Sequence, residues 1–331
     1  MIGIIANSTS LDNRKDLIAE LGEPRDGFFS PLKFSFKELQ GEIIALDIQP
    51  NEILEKAGMA KAKEALFKAV EYLSQRGVKV ICFTASTKRL PGKTGSEIKK
   101  LYPDITFSIG DSATMVSYLA LLDHYLLPGH IDRARNEIVC LGAGFLGVKS
   151  IEHLLRRGCK RVTLISEQGE NGFPKDIRVI DSLDKMPKGI KLFLSCSHKY
   201  EIDPESFRKF LNPQAVILDV AVPPGINQAV FAALPEGVSR FDGGDFFLED
   251  IKYDFPSQIL SFPRVGFWYG CFAEAVILAV ARQAGVDLKK FNFFEVNQEN
   301  CDFLAYYLRQ EKIAIPRINF FAPENIAFIP F

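Results

Sequence analysis

Cys271 and Glu274 stand three residues apart in Gly270-Cys-Phe-Ala-Glu-Ala275, where a glycine-containing loop enters a strongly helical run. A thiol at a helix start is favoured as thiolate by the macrodipole, and the thiolate is the nucleophilic form. Glu274 lies one helical turn on and can share the face of Cys271, placed to take or give a proton. Buried structural cysteines are common, so the position alone does not make Cys271 reactive. A second thiol, Cys196, stands in Ser195-Cys-Ser-His198 with a histidine beside it. The histidines number four and form no H-E-x-x-H or Cys/His cluster, so no zinc site is expected.

The other chemical signal is Gly142-Ala-Gly-Phe-Leu-Gly147, directly after the apolar run Ile138–Leu141 and directly before a helical pattern that reaches about Arg157. In this context Gly142 permits a tight turn, Gly144 lets a pyrophosphate approach, and Gly147 lets helix and strand pack closely. The N–H groups at the helix start, on Phe145 and Leu146, would hold the negative charge. The next strand, Arg161–Ile165, is followed by Glu167, placed to accept a ribose hydroxyl.

These groups need elements to hold them. Strands are expected at 2–6, 41–47, 78–83 and 105–109, and helices at 13–21, 51–75, 95–101 and 112–127. This gives an N-terminal α/β substrate domain over residues 1–127. A doubly wound parallel-sheet, Rossmann-type dinucleotide-binding domain is expected over 128–262. Its later strands lie at 176–180, 191–195, 215–220 and 238–241, and their ends bring Ser195, Cys196, Val220 and Gly243 to the ligand edge. Residues 263–331 read as a C-terminal helical segment packing back across the cleft.

A chain of 331 residues accommodates two such cores. Net charge −1 predicts no broad positive field and no nucleic-acid partner. The six cysteines show no paired spacing, which suits a reducing cytoplasm. No apolar run reaches the ~20 residues of a membrane span. The apolar tail, Ile318–Ala322 and Ala327–Phe331, allows peripheral membrane contact at most.

Five stretches together resemble the cyanobacterial long-chain acyl-(acyl-carrier-protein) reductase family, which makes fatty aldehydes. They are Gly3–Leu11, Gly41–Ser86, the glycine turn 142–147, Phe241-Asp-Gly-Gly244 with its acidic turn, and Cys271-Phe-Ala-Glu-Ala275. The resemblance implies that Cys271 is acylated by an acyl-carrier-protein or coenzyme A thioester. Hydride transfer and collapse of a hemithioacetal then release an aldehyde. It implies backbone N–H groups at the 271 helix start as oxyanion donors, with Ser86 or Thr84 helping. Three places depart from the family, the strand end Ser195-Cys-Ser-His198 among them. Its glycine loop is closer to G-x-T-G-x-x-G, and it carries Arg where this chain has Glu167. The family pattern implies NADPH. Glu167 would repel a 2′-phosphate and favours NADH.

Two other functions fit the pattern. One is a shikimate-dehydrogenase-like oxidoreductase acting on a small keto or hydroxy acid, using a first-domain Lys and Asp, for which Lys88 and Asp111 are the candidates. The other is a dinucleotide-binding sensor without catalysis.

Overall fold

The computed structural model describes residues 1–167, 172–197, 199–322 and 326–329. In chain order the first elements are β1 (Ile2–Asn7), α1 (Leu11–Leu21), β2 (Leu32–Phe36), β3 (Leu39–Leu46), α2 (Lys56–Gln75) and β4 (Val80–Phe83). Then come α3 (Ser96–Leu101), β5 (Thr106–Ser108), α4 (Asp111–Tyr125), β6 (Glu137–Leu141), α5 (Phe145–Arg156) and β7 (Val162–Ile165). The chain continues through β8 (Arg178–Ile180), β9 (Ile190–Ser195), α6 (Pro204–Phe207), β10 (Leu211–Asp219), α7 (Gln228–Ala232) and β11 (Ser239–Asp242). It closes with β12 (Asp245–Phe247), β13 (Ile251–Tyr253), β14 (Phe267–Tyr269), α8 (Gly270–Gln283), α9 (Gln298–Gln310), β15 (Ile315–Arg317) and β16 (Ala327–Ile329).

The protein is α/β and divides into two units, Met1–Val116 with Asp245–Ala314, and Ser117–Gly244 with Ile315–Phe331. This corrects the expected boundaries at 127 and 262. The first unit ends inside α4 and takes back residues 245–314, and the chain from Ile315 returns to the second. The physical reason is burial. α8 is mostly apolar, with Gly270, Phe272–Ala279 (Glu274 among them) and Ala281 all buried, so it needs cover nearly all round. It finds part of that cover on β1 and β4 of the first sheet.

The first sheet has the order β13-β2-β3-β1-β4-β5. Its centre, β3-β1-β4-β5, is parallel, and β1 and β4 are buried along their whole length, as both-sides-covered parallel strands are. β2 and β13 add an antiparallel edge. α2 lies on this sheet through Ala62, Ala65, Leu66, Ala69, Val70 and Leu73, a helical stripe of mostly small side chains.

The second sheet is parallel throughout, in the order β11-β10-β9-β6-β7-β8. Counted from β6 this is 6-5-4-1-2-3, the doubly wound order in which a dinucleotide sits at the strand ends. The expected six strands are all present, with the glycine turn at the end of the first.

Candidate active site

In the first unit, β14 runs directly into α8, and Cys271 is the second residue of the helix. It is half-buried, while its neighbours Gly270 and Phe272–Ala279 are buried. The turn between β5 and α4 presses against it. Gly110 there has φ +74, and a Cβ on it would stand 2.3 Å from Cys271 Cβ and 2.4 Å from Cys271 Cα. Only glycine suits both the backbone and the gap. The buried thiol of Cys82 donates to the Cys271 carbonyl at 3.1 Å.

Glu274 is fully buried beneath this turn. Its Oε1 accepts from Ser108 Oγ, and its Oε2 accepts from the Ala113 N–H at 2.8 Å. The Gly110 N–H in turn donates to Ser108 Oγ at 3.0 Å. Beside the same turn, Lys88 Nζ donates to Asp111 Oδ1 at 2.8 Å. The structure thus brings together Cys271, Glu274, Ser108, Gly110, Asp111 and Lys88 on one unit. Ser86 lies on the β4 turn two residues before Lys88, and its N–H donates to Asn7 Oδ1 at 3.0 Å. The Thr84 hydroxyl donates to the Ile5 carbonyl at 3.2 Å and is buried, so it is committed to holding that turn.

Electrostatics reverse one expectation. Burial pushes the Cys271 thiol up to about 12, and Asp111, Glu274 and Asp245 push the same way. The Lys88 ammonium pulls it down without offsetting them. The resting group is therefore a thiol. Desolvation and nearby carboxylates outweigh the helix start, whose favour for an anion is typically under 1 kcal/mol.

Burial also raises Glu274 to about 7, against the lowering effect of its bonds from Ser108 and Ala113. A raised acid stabilises the fold most below its unfolded value and loses that contribution as pH rises through the folded one. Between pH ~4.5 and ~7, Glu274 should withdraw about 3 kcal/mol. Urea unfolding across this range should show a steeper loss in wild type than in Glu274→Gln, and equal slopes would refute the assignment.

In the second unit, the glycine turn separates three roles. Gly142 has φ +100, and a Cβ there would meet Ser197 Cβ at 2.6 Å. A Cβ on Gly147 would fall 1.9 Å from the Gly142 carbonyl oxygen, so α5 packs tightly against the turn. A Cβ on Gly144 would meet no described residue within 4 Å. Protein packing does not require a glycine at 144, and a ligand approaching that backbone does. Gly144 caps α5 without a side-chain bond, and Phe145 and Leu146 follow in its first turn, with Phe145 exposed. The residues present fit a dinucleotide pyrophosphate.

Glu167 follows β7 and is exposed. Its charge adds to burial in raising the Tyr200 hydroxyl. Ser195 ends β9, fully buried, and Val220, also buried, follows β10. The Gly243 N–H donates to the Asp219 carbonyl at 2.7 Å, and Gly243 lies against Tyr118. Cys196 is half-buried, 3.5 Å from the Tyr118 hydroxyl. Cys140 on the adjacent strand, followed by Tyr118, holds its thiol below the usual range, whereas Cys140 itself is raised. Cys196 is therefore the more acidic of the two candidate thiols. His198 lies outside the described residues.

Sequence reasoning missed the charged core behind these strand ends. Fully buried Arg240 pairs with Asp219 at 3.1 Å and Asp242 at 2.7 Å, and also donates to Asn319 Oδ1 at 3.1 Å. Asp219 accepts from the backbone N–H groups of Ala221, Gly225 and Ile226, fixing the loop after β10. Asp242 accepts from the Phe320 N–H at 2.7 Å, tying in the returning chain.

No family model matches the chain, and no curated protein matches it. Solved structures match it at low similarity. A protein described as a malic enzyme (malate oxidoreductase) is 16% identical over 72% of this chain and 65% of its own, at TM-score 0.37. The chain thus spans just under two thirds of that protein. Shikimate dehydrogenase 1 from Peptoclostridium difficile is 9% identical over 93% of this chain and 97% of its own, at TM-score 0.42. D-lactate dehydrogenase with NAD+ from Lactobacillus jensenii is 13% identical over 87% and 98%, at TM-score 0.33. Likeness at this level carries no argument about activity.

Proposed function

We propose that the protein is an NAD(P)H-dependent oxidoreductase that reduces an acyl thioester, carried by acyl carrier protein or coenzyme A, to an aldehyde through a thioester on Cys271. The observation that carries this reading is a half-buried thiol at the start of an otherwise buried helix, with an ammonium, Lys88, acting in its favour. When bound, the reduced nicotinamide supplies the hydride.

The chain's own residues supply the rest. Cys271 rests as a thiol, so its sulfur attacks the acyl carbon as its proton leaves. The Cys271–acyl bond forms, the acyl–carrier bond breaks, and the proton ends on the departing carrier thiol. The Lys88 charge opposes the acidic groups while the sulfur is anionic. After reduction, the carbon–sulfur bond of the hemithioacetal breaks, the aldehyde leaves and Cys271 regains a proton. First-turn N–H groups of α8 are the backbone donors for the developing oxyanion. Incubation with an acyl thioester without reduced cofactor should leave an acyl mass on the Cys271 peptide, and an adduct on no cysteine would refute the reading.

The Lys88–Asp111 pair at 2.8 Å favours a second reading, reduction of a small keto acid. The two separate by dependence. Keto-acid reduction would be lost in Lys88→Ala and kept in Cys271→Ala.

Glu167 sets the cofactor preference in this proposal. A carboxylate accepts a ribose hydroxyl and repels a 2′-phosphate. Glu167→Arg should move the ratio of NADPH to NADH affinity upward by about tenfold or more, a change of ~1.4 kcal/mol, read by fluorescence titration. An unchanged ratio would show that Glu167 does not reach the ribose.

A further inference from the structure

We propose that Glu274 is a positioning residue: its carboxyl fastens the Ser108–Ala113 turn to the first turn of α8, holding Gly110 against Cys271 and Asp111 on Lys88, and it does not carry the thiol proton. The inference rests on the acyl-thioester reading for its catalytic consequence and on geometry alone for the latch.

Three observations carry it. Both oxygens of Glu274 are engaged, one by Ser108 Oγ and one by the Ala113 N–H at 2.8 Å, and the side chain is fully buried. The two bonded residues bracket Gly110 and Asp111, so one carboxyl grips the turn at both ends. Gly110 is seated so closely on Cys271 that a single added carbon would stand 2.3 Å from the cysteine Cβ. The turn cannot shift without changing what lies against the Cys271 Cα and Cβ. A proton carrier needs a lone pair directed at the proton it takes, and among the described residues the Glu274 oxygens are directed at Ser108 Oγ and the Ala113 N–H.

Glutamine discriminates the two roles. Its carbonyl can accept from the Ala113 N–H and its amide can donate to Ser108 Oγ, so the latch survives while proton transfer does not. Ionised Glu274 also opposes the Cys271 thiolate, so glutamine should leave the sulfur at least as reactive.

The test uses the full chain as wild type, Glu274→Gln, Glu274→Ala and Ser108→Ala. The first readout is the rate of iodoacetamide alkylation at pH 9, located on the Cys271 peptide by mass spectrometry, which needs no substrate. The second is kcat for acyl-thioester reduction. Expected for Glu274→Gln are alkylation no slower than wild type and kcat within about threefold. Expected for Glu274→Ala are alkylation faster by about tenfold, as the turn releases the sulfur, and kcat lower by about 100-fold. Ser108→Ala should follow the alanine variant in direction, and it replaces that variant should the latter not fold. A kcat loss of about 100-fold or more in Glu274→Gln with alkylation unchanged is what a proton carrier would give, and it would overturn the proposal. Unchanged alkylation in Glu274→Ala and Ser108→Ala would overturn it equally. Absence of reduction in wild type would remove the functional reading, and the alkylation arm would still decide the latch.

Discussion

Cys271→Ala should abolish formation of the acyl adduct and lower aldehyde formation by at least about 10³-fold, with the fold intact. The nucleophile splits one difficult substitution into two easier steps, and the neighbouring Cys82 thiol is buried and held well above the usual thiol range. The stability change should be small, within about 1 kcal/mol, because Cys271 is half-buried and alanine suits the first turn of a helix. Adduct mass by peptide mapping, kcat with a long-chain acyl thioester and the urea midpoint should be measured on the same preparation. An adduct that persists on Cys196 would transfer the role to the more acidic thiol of the second unit. Reduction that continues without any cysteine adduct would reject covalent catalysis and leave the Lys88–Asp111 reading in its place.

Replacement of Gly144 and of Gly147 by alanine should have opposite effects. Gly144 has φ −69 and ψ 179, which any residue adopts, and an added Cβ meets no described residue within 4 Å. Gly144→Ala should keep its urea midpoint and lose dinucleotide affinity by about tenfold or more, ~1.4 kcal/mol, because the methyl occupies the path of a pyrophosphate. Gly147→Ala places a carbon 1.9 Å from the Gly142 carbonyl oxygen, which is backbone and cannot rotate away. It should destabilise the second unit by about 1–3 kcal/mol or more, as overpacking does, and lose binding as a consequence. Titration with NADH and NADPH beside urea unfolding separates the two outcomes. Unaltered affinity in Gly144→Ala would show that no pyrophosphate lies on that backbone.

The second sheet was legible because its signals are local and redundant. Short apolar runs end in glycine or small polar residues, and the glycine turn names the first strand. The first sheet was legible at its parallel centre for the same reason. Its antiparallel edge was not, although Leu32-Lys-Phe-Ser-Phe36 alternates buried and open positions as such strands do. Strands of three residues, such as Asp245–Phe247 and Ile251–Tyr253, are too short to show any period. The boundaries of the units were missed because no composition change marks residue 116 or residue 315.

Within the candidate site, the position of Cys271 at a helix start was readable and its acidity was not. A helix start argues for a low thiol pKa. Burial raises it, with Asp111 from 160 residues earlier in the chain, and both arrive through tertiary packing. The Glu274 contacts to Ser108 and Ala113 are invisible for the same reason. Glu274 was readable as a neighbour of the cysteine, and what it grips depended on which turn the fold sets above it.

The interleaving of the two units has a consequence for biosynthesis. Buried Arg240 is enclosed partly by Asn319, and Asp242 by the Phe320 N–H, so the second unit lacks part of its interior until a ribosome has translated and released those codons' products. The first unit waits likewise for α8 to cover β1 and β4. Nascent chains commonly complete an amino-terminal domain while the remainder is still being made. Here neither unit can, and a growing polypeptide must hold both units unfinished until residue 320 has been made.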